Sequence, residues 1–270
     1  MIFSPKETTT MKRLILSALL VLGLAAPGFA DVTIKGTGGG KGLGMTANMT
    51  TVTYIKGNRM RTDTVTGDTT RSMVFDLDAQ RLYSFDSKKK EAEVWNMQAF
   101  SAEMAKNVDV SGMKASVKAN GKTKTVAGRN ASGYDMEIEV PATVGGAMKM
   151  TVILTGPMWV VKGAPGSAEY LAFYKNAVDK GWIFSDPRGA KGQPGQAKAM
   201  AEMYKQMAET GGIAYETEMN IKLGGDGPMA GMMARMGGMT ATSLVQSVDT
   251  ATLAADLFAP PAGYKIKEQK

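Results

Sequence analysis

The eleven residues IAYETEMNIKL, Ile213 to Leu223, decide the fold class. Apolar and polar side chains take turns along the run. Ile213, Tyr215, Thr217, Met219, Ile221 and Leu223 fall on one side, and Glu216, Glu218, Asn220 and Lys222 on the other. A period of two over this length predicts a β-strand with one dry and one wet face, as antiparallel sheets have. The stretch GYDMEIEV repeats the design, with Tyr134, Met136, Ile138 and Val140 opposite Asp135, Glu137 and Glu139.

Working outward, residues 49–97 read as an antiparallel meander. Lys56-Gly57-Asn58 and Asp78-Ala79-Gln80 are turns between runs rich in Thr, Val, Tyr and Ile, and Met73, Phe75 and Leu77 share a face. Lys88–Lys90 reads as a solvated hairpin tip. A short helix follows over QAFSAEMAKNV, then a hairpin turning at Asn120-Gly121, and a strand broken at Gly156-Pro157. The period then changes to that of a helix. GSAEYLAFYKNAVDKG has Ser167 as N-cap and Gly181 beyond its end. A second helix opens on Pro194 and carries the stripe Met200, Met203, Tyr204, Met207. The glycine run GTGGGKGLG reads as a flexible edge or hairpin loop. No βαβ alternation is present, so a parallel sheet is not expected. The expected class is mainly β with α (α+β): one curved antiparallel sheet, a half-barrel, with a helical lid.

Residues 11–30, MKRLILSALLVLGLAAPGFA, set Lys12 and Arg13 before a short apolar run and end in small residues. That is the layout of a cleavable export signal, with Met11 as the start and cleavage after Ala30. Residues 31–270 then form a single β-rich domain with a helical insertion at about 167–211, and the expected compartment is the periplasm. Without cysteine there is neither a lipidation site nor a disulfide, so no stable membrane anchor is expected. Removing residues 1–30 leaves 29 basic against 24 acidic residues. This excess is spread along the chain, and no nucleic-acid partner is expected.

Several of these stretches are similar to a bacterial family of exported proteins that carry a domain of unknown function, related in shape to the LolA/LolB-like lipoprotein carriers. The resemblance lies in VTYIKGNRMRTD, MVFDLDAQRLYSFD, TVAGRNASGYDMEI, MWVVKG and LFAPPAGYK, which span most of Val32 to Lys265. It implies an open half-barrel with a helical lid, a shape used elsewhere for acyl chains or lipoproteins. It implies no catalytic residues.

With no histidine and no cysteine, thiol nucleophiles, the usual triads and His/Cys zinc sites are excluded. Two Ser-x-x-Lys matches, Ser87 to Lys90 and Ser111 to Lys114, lack the partner motifs of a serine–lysine acyl enzyme. Asp76 and Asp78 read as solvent-facing strand carboxylates. Glu137, Glu139, Glu216 and Glu218 line wet strand faces, and nothing in the sequence singles out a catalytic pair. The expected function is therefore non-enzymatic, without a cofactor: an apolar small molecule, lipid or lipidated partner held between sheet and lid. Trp95, Tyr134 and Trp159 are the candidate contacts from the sheet, with Tyr170, Phe173, Met200, Met203 and Met207 from the lid. Two alternatives stand beside it. Met229, Met232, Met233 and Met236 fall on one side of a short helix and offer thioethers to Cu(I). An envelope accessory that binds another protein and no small ligand is the other.

Overall fold

The computed structural model describes residues 30–42, 45–106, 112–144, 148–182, 184, 187–188, 194–224 and 238–269. The strands are β1 (Val32–Gly42), β2 (Met45–Lys56), β3 (Arg59–Thr66), β4 (Thr69–Asp76), β5 (Arg81–Asp86) and β6 (Glu91–Asn96). They continue as β7 (Lys114–Val126), β8 (Arg129–Val144), β9 (Met148–Lys162), β10 (Gly212–Gly224), β11 (Met239–Thr250) and β12 (Lys265–Gln269). The helices are α1 (Met97–Lys106), α2 (Ser167–Asp179) and α3 (Pro194–Glu209). All twelve strands form one open sheet in the order β12-β6-β5-β4-β3-β2-β1-β11-β10-β9-β8-β7. Every pairing is antiparallel except β12, which runs parallel to β6 at the edge. The fold is the expected α+β half-barrel.

The meander explains itself through its register. Val32 lies opposite Ile55, Ile55 opposite Met60, Met60 opposite Phe75, Phe75 opposite Leu82, and Leu82 opposite Trp95. Residues paired this way share a face, so one buried apolar row crosses six strands. Phe173, Tyr174 and Ala177 of α2 belong to the same cluster. The adjacent row, which includes Tyr54, Val74 and Tyr83, faces the other way. There Phe258 and Leu257, from the tail after β11, close a smaller cluster.

Four local readings change in the structure. Most of the glycine run is not an edge or loop: Gly36 to Gly42 lie in β1, between β2 and β11, and Leu43 and Gly44 lie outside the described residues. The hairpin does not turn at Asn120-Gly121. The Asn120 side chain instead accepts from Lys122 N–H and donates to Asp135, making an irregularity inside β7, and the chain turns at Ala127-Gly128. Ser167 is the first residue of α2 and Gly166 occupies the cap position, at φ 73°. Strand β9 runs through Gly156-Pro157 and is interrupted on one side only. Its register with β8 continues, while its pairing with β10 is lost between Thr155 and Met158. Pro157 has no N–H to give that ladder. At Gly156, where φ is 153°, a Cβ would overlap the Glu218 carbonyl, so only glycine fits.

The opening strand also departs from strict alternation. Ala214 pairs with Val160 and Glu216 with Trp159, so Tyr215 is an extra residue on β10. This bulge lies where β10 begins to pair with β11, at Glu216 opposite Leu244. It sends the two halves of one apolar series to different places. Ile213 and Tyr215 join the cluster of Val32 and Phe173, whereas Met219 and Ile221 join the cluster beneath α3.

Candidate functional site

Helix α2 is fixed to the sheet. Gly57 N–H donates to the buried Glu169 carboxylate at 2.5 Å, Asn176 donates to Asn58 at 2.9 Å, and the Lys180 ammonium donates to the Leu77 carbonyl at 2.9 Å. Between α2 and α3 the space is filled by rings. Tyr174 stacks on Tyr204 at 5.4 Å, Tyr170 lies 4.7 Å from Tyr174, and Phe184 approaches Tyr174 and Tyr204 at 5.1 Å each. Burial pushes the Tyr170, Tyr174 and Tyr204 hydroxyls well above the ordinary tyrosine range. This end of the lid is a plug of packed aromatics.

The other end differs. Helix α3 lies over β7–β10, with its stripe toward the sheet. Met203 is 6% exposed and packs in a cluster with Met136, Ile138, Val140, Val152 and Leu154. The i, i+3, i+4, i+7 spacing carries Met200 and Met207 to the flanks of that contact, where both are half-buried. Half-buried Met113 and Met219 meet the same cluster from the sheet side. Thioethers thus border this contact from helix and sheet alike, around a sealed aliphatic floor.

The structure divides the eight candidate contacts between these environments. Trp95 and Phe173 are sealed in the α2 cluster, with half-buried Trp159 and Tyr170 packed against it. Tyr134 is buried beside Met158 and Val160, with Met207 packed on that group. Met200, Met203 and Met207 meet at the α3 seam. Trp159 also lies under the Lys124 ammonium, 4.4 Å from the ring centre, and Lys124 pairs with Glu216 at 2.7 Å. Met113 escaped the sequence reading because no periodic element contains it. Met219 carried a legible signal, its place in the alternating strand. Met229, Met232, Met233 and Met236 lie outside the described residues; Met239, described, opens β11 opposite Ile221. Asp76 is not solvent-facing. It is buried, pairs with Arg59 at 3.1 Å and accepts from the Asp78 and Ala79 N–H groups of its turn. No helix of the described residues is long and apolar enough to cross a membrane.

No family model matches the chain, and no curated protein matches it. Among solved structures it is similar to PNGF-II, with a TM-score of 0.34 and 12% identity over 88% of this chain; it spans about a third of that protein's length, 31%. LolA superfamily proteins are among its structural neighbours. NE2245 from Nitrosomonas europaea has a TM-score of 0.29 and 6% identity, covering 86% of this chain and 90% of that one. An outer membrane lipoprotein-sorting protein domain from Vibrio parahaemolyticus has a TM-score of 0.30 and 9% identity, with the same two coverages.

Proposed function

We propose that this chain is a non-enzymatic binding protein of the periplasm that holds an acyl chain, a lipid or a lipidated partner between α3 and strands β7–β10. The observation that supports this reading is the set of half-buried methionines, Met113, Met200, Met207 and Met219, packed against the sealed floor of Ile138, Val140 and Leu154. Methionine is unbranched and polarizable, so a surface made of it repacks around apolar shapes at low cost. Helix α2 is tied to the sheet by Glu169, Asn176 and Lys180, while α3 meets β7–β10 largely through Met200, Met203 and Met207. In this reading α2 is a fixed wall and α3 is the part that yields to a ligand. Trp95 and Phe173 then shape the wall without touching the ligand. The chain has no histidine or cysteine to supply a nucleophile or a base near neutral pH, which agrees with a carrier more than with an enzyme.

The test is to purify the mature protein without detergent, extract it, and analyse the extract by lipid mass spectrometry. Co-purifying acyl species at about one per chain are expected. A protein that is repeatedly empty and also ignores fluorescent fatty-acid probes sinks the reading.

A further inference from the structure

We propose a second binding site on the opposite side of the sheet from the helices, one that takes a small aliphatic amine. A shallow depression of about 770 Å³, wide open to solvent, lies there over the middle of the sheet, with a volume in the range of roughly 300–1,000 Å³ usual for small-molecule sites. Its place follows from the register. Val65 lies opposite Thr50, Thr50 opposite Thr37, Thr37 opposite Leu244, and Leu244 opposite Glu216. The next outward-facing row runs from Asn48 through Gly39 and Thr242 to Glu218. In β2, Thr50 and Asn48 share the face of Tyr54, which packs under the C-terminal tail. They therefore point away from Ile55 and the helices. The site is separate from the α3 seam.

The glycine run of β1 now has a structural use. With Gly39 in the middle of the second row the floor is bare backbone, and the neighbouring strands form the walls. On one wall stand Glu216 and Glu218, two residues apart and on the same side of β10. Glu216 is held by Lys124, which lies over Trp159. Glu218 is exposed and makes no ion pair or side-chain hydrogen bond among the described residues. Among the described residues no lysine or arginine lines the cavity. In a chain of net charge +7, the unpaired Glu218 makes a local negative spot.

That lining selects by chemistry. A phosphate or carboxylate ligand would meet the uncompensated Glu218 carboxylate, while the nearest cation, Lys124, is already engaged by Glu216. A neutral polyol could bond to Thr37, Asn48 and Thr242 but would leave the Glu218 charge unanswered. Leu244 is 40% exposed in the same wall, one of two large hydrophobics so exposed among the described residues. An alkylammonium satisfies both features: the ammonium donates to Glu218, and the methylene stem lies along Leu244 on the neighbouring strand. A second amine or amide finds acceptors in the threonine hydroxyls and Asn48.

The experiment is isothermal titration of the mature protein with spermidine at low ionic strength. Inorganic phosphate and an uncharged glycol of similar length serve as comparison probes. Saturable spermidine binding is expected, weakening with added salt, and neither comparison probe should bind. Glu218→Gln should weaken binding roughly tenfold, since it removes a charge-assisted contact, while leaving the unfolding temperature unchanged because the residue is exposed. Leu244→Ser should weaken it a few-fold. Absence of saturation at millimolar spermidine, equal binding of the glycol, or unchanged affinity in Glu218→Gln would each overturn the proposal. None of these results bears on acyl binding at the α3 seam, which the lipid extraction tests independently.

Discussion

Replacing Phe173 by alanine asks whether α2 is a wall of the core or a movable lid. The Phe173 side chain is fully buried at the centre of the α2 cluster. Its ring meets Tyr174 edge-on at 5.5 Å and Phe184 at 6.0 Å. Removing a sealed phenylalanine ring costs about 3–5 kcal/mol through lost transfer energy and the cavity left behind. The two ring contacts, worth roughly 0.5–1.5 kcal/mol each beyond area, place this site toward the upper end. Relaxation is restricted, because Glu169 and Asn176 hold α2 in place on either side of the gap. For a chain of this size each kcal/mol moves the unfolding temperature by about 2–4 °C, so a fall of roughly 6–20 °C is expected. Urea denaturation of the mature chain, followed by tryptophan fluorescence, should show a lower midpoint with an unchanged slope. A loss below about 1 kcal/mol would mean that α2 is not part of the core, and the division into fixed wall and yielding helix would fail with it.

Further outcomes follow from individual groups. The Tyr215 hydroxyl is buried without a partner among the described residues, so Tyr215→Phe should be neutral or stabilise by up to about 1 kcal/mol; a loss beyond that in thermal denaturation would reveal a partner. Glu169→Ala removes the acceptor of the Gly57 N–H and should cost about 1–3 kcal/mol in the same assay, and a silent result would show that the contact does not anchor α2. Because burial raises Tyr170, Tyr174 and Tyr204, the folded state keeps protons that unfolded tyrosines lose near pH 10. Their stabilisation is complete below about pH 10 and is lost as pH rises through the folded values. Absorbance at the tyrosinate band should therefore rise together with unfolding, and three tyrosines titrating normally in a folded chain would contradict the buried plug.

The fold was legible where periodicity and turn chemistry agree. Lys56-Gly57-Asn58 and Asp78-Ala79-Gln80 close the expected hairpins, and Tyr134 to Val140 bury the expected face. It was less legible where the tertiary structure breaks a period. No local pattern marks Tyr215 as an extra residue, because the bulge arises from β10 exchanging one neighbour for two. The glycine run could not reveal itself as a central strand, since glycine has no side chain to show alternation. It becomes a strand only because β2 and β11 supply hydrogen bonds on both sides. The candidate site was half legible. The stripe Met200, Met203, Met207 reads directly from helical spacing, but aromatic residues attract attention in a sequence whether they line a cavity or fill one. Trp95 and Phe173 fill one, and only packing against Ile55, Phe75 and Leu82 distinguishes the two cases.

The most direct test of the account is a stoichiometric titration of the mature, delipidated protein with a fluorescent fatty acid. It should be run in parallel on the unaltered chain and on a Met200→Gln, Met207→Gln variant. Both side chains are half-buried, so the variant should keep its fold and lose little stability. Saturable binding of one probe per chain is expected, weakened about tenfold or more in the variant because polar amides replace two apolar contacts. Saturable binding that the variant leaves untouched would place the ligand elsewhere, and no saturable binding in the unaltered chain would contradict the central claim outright.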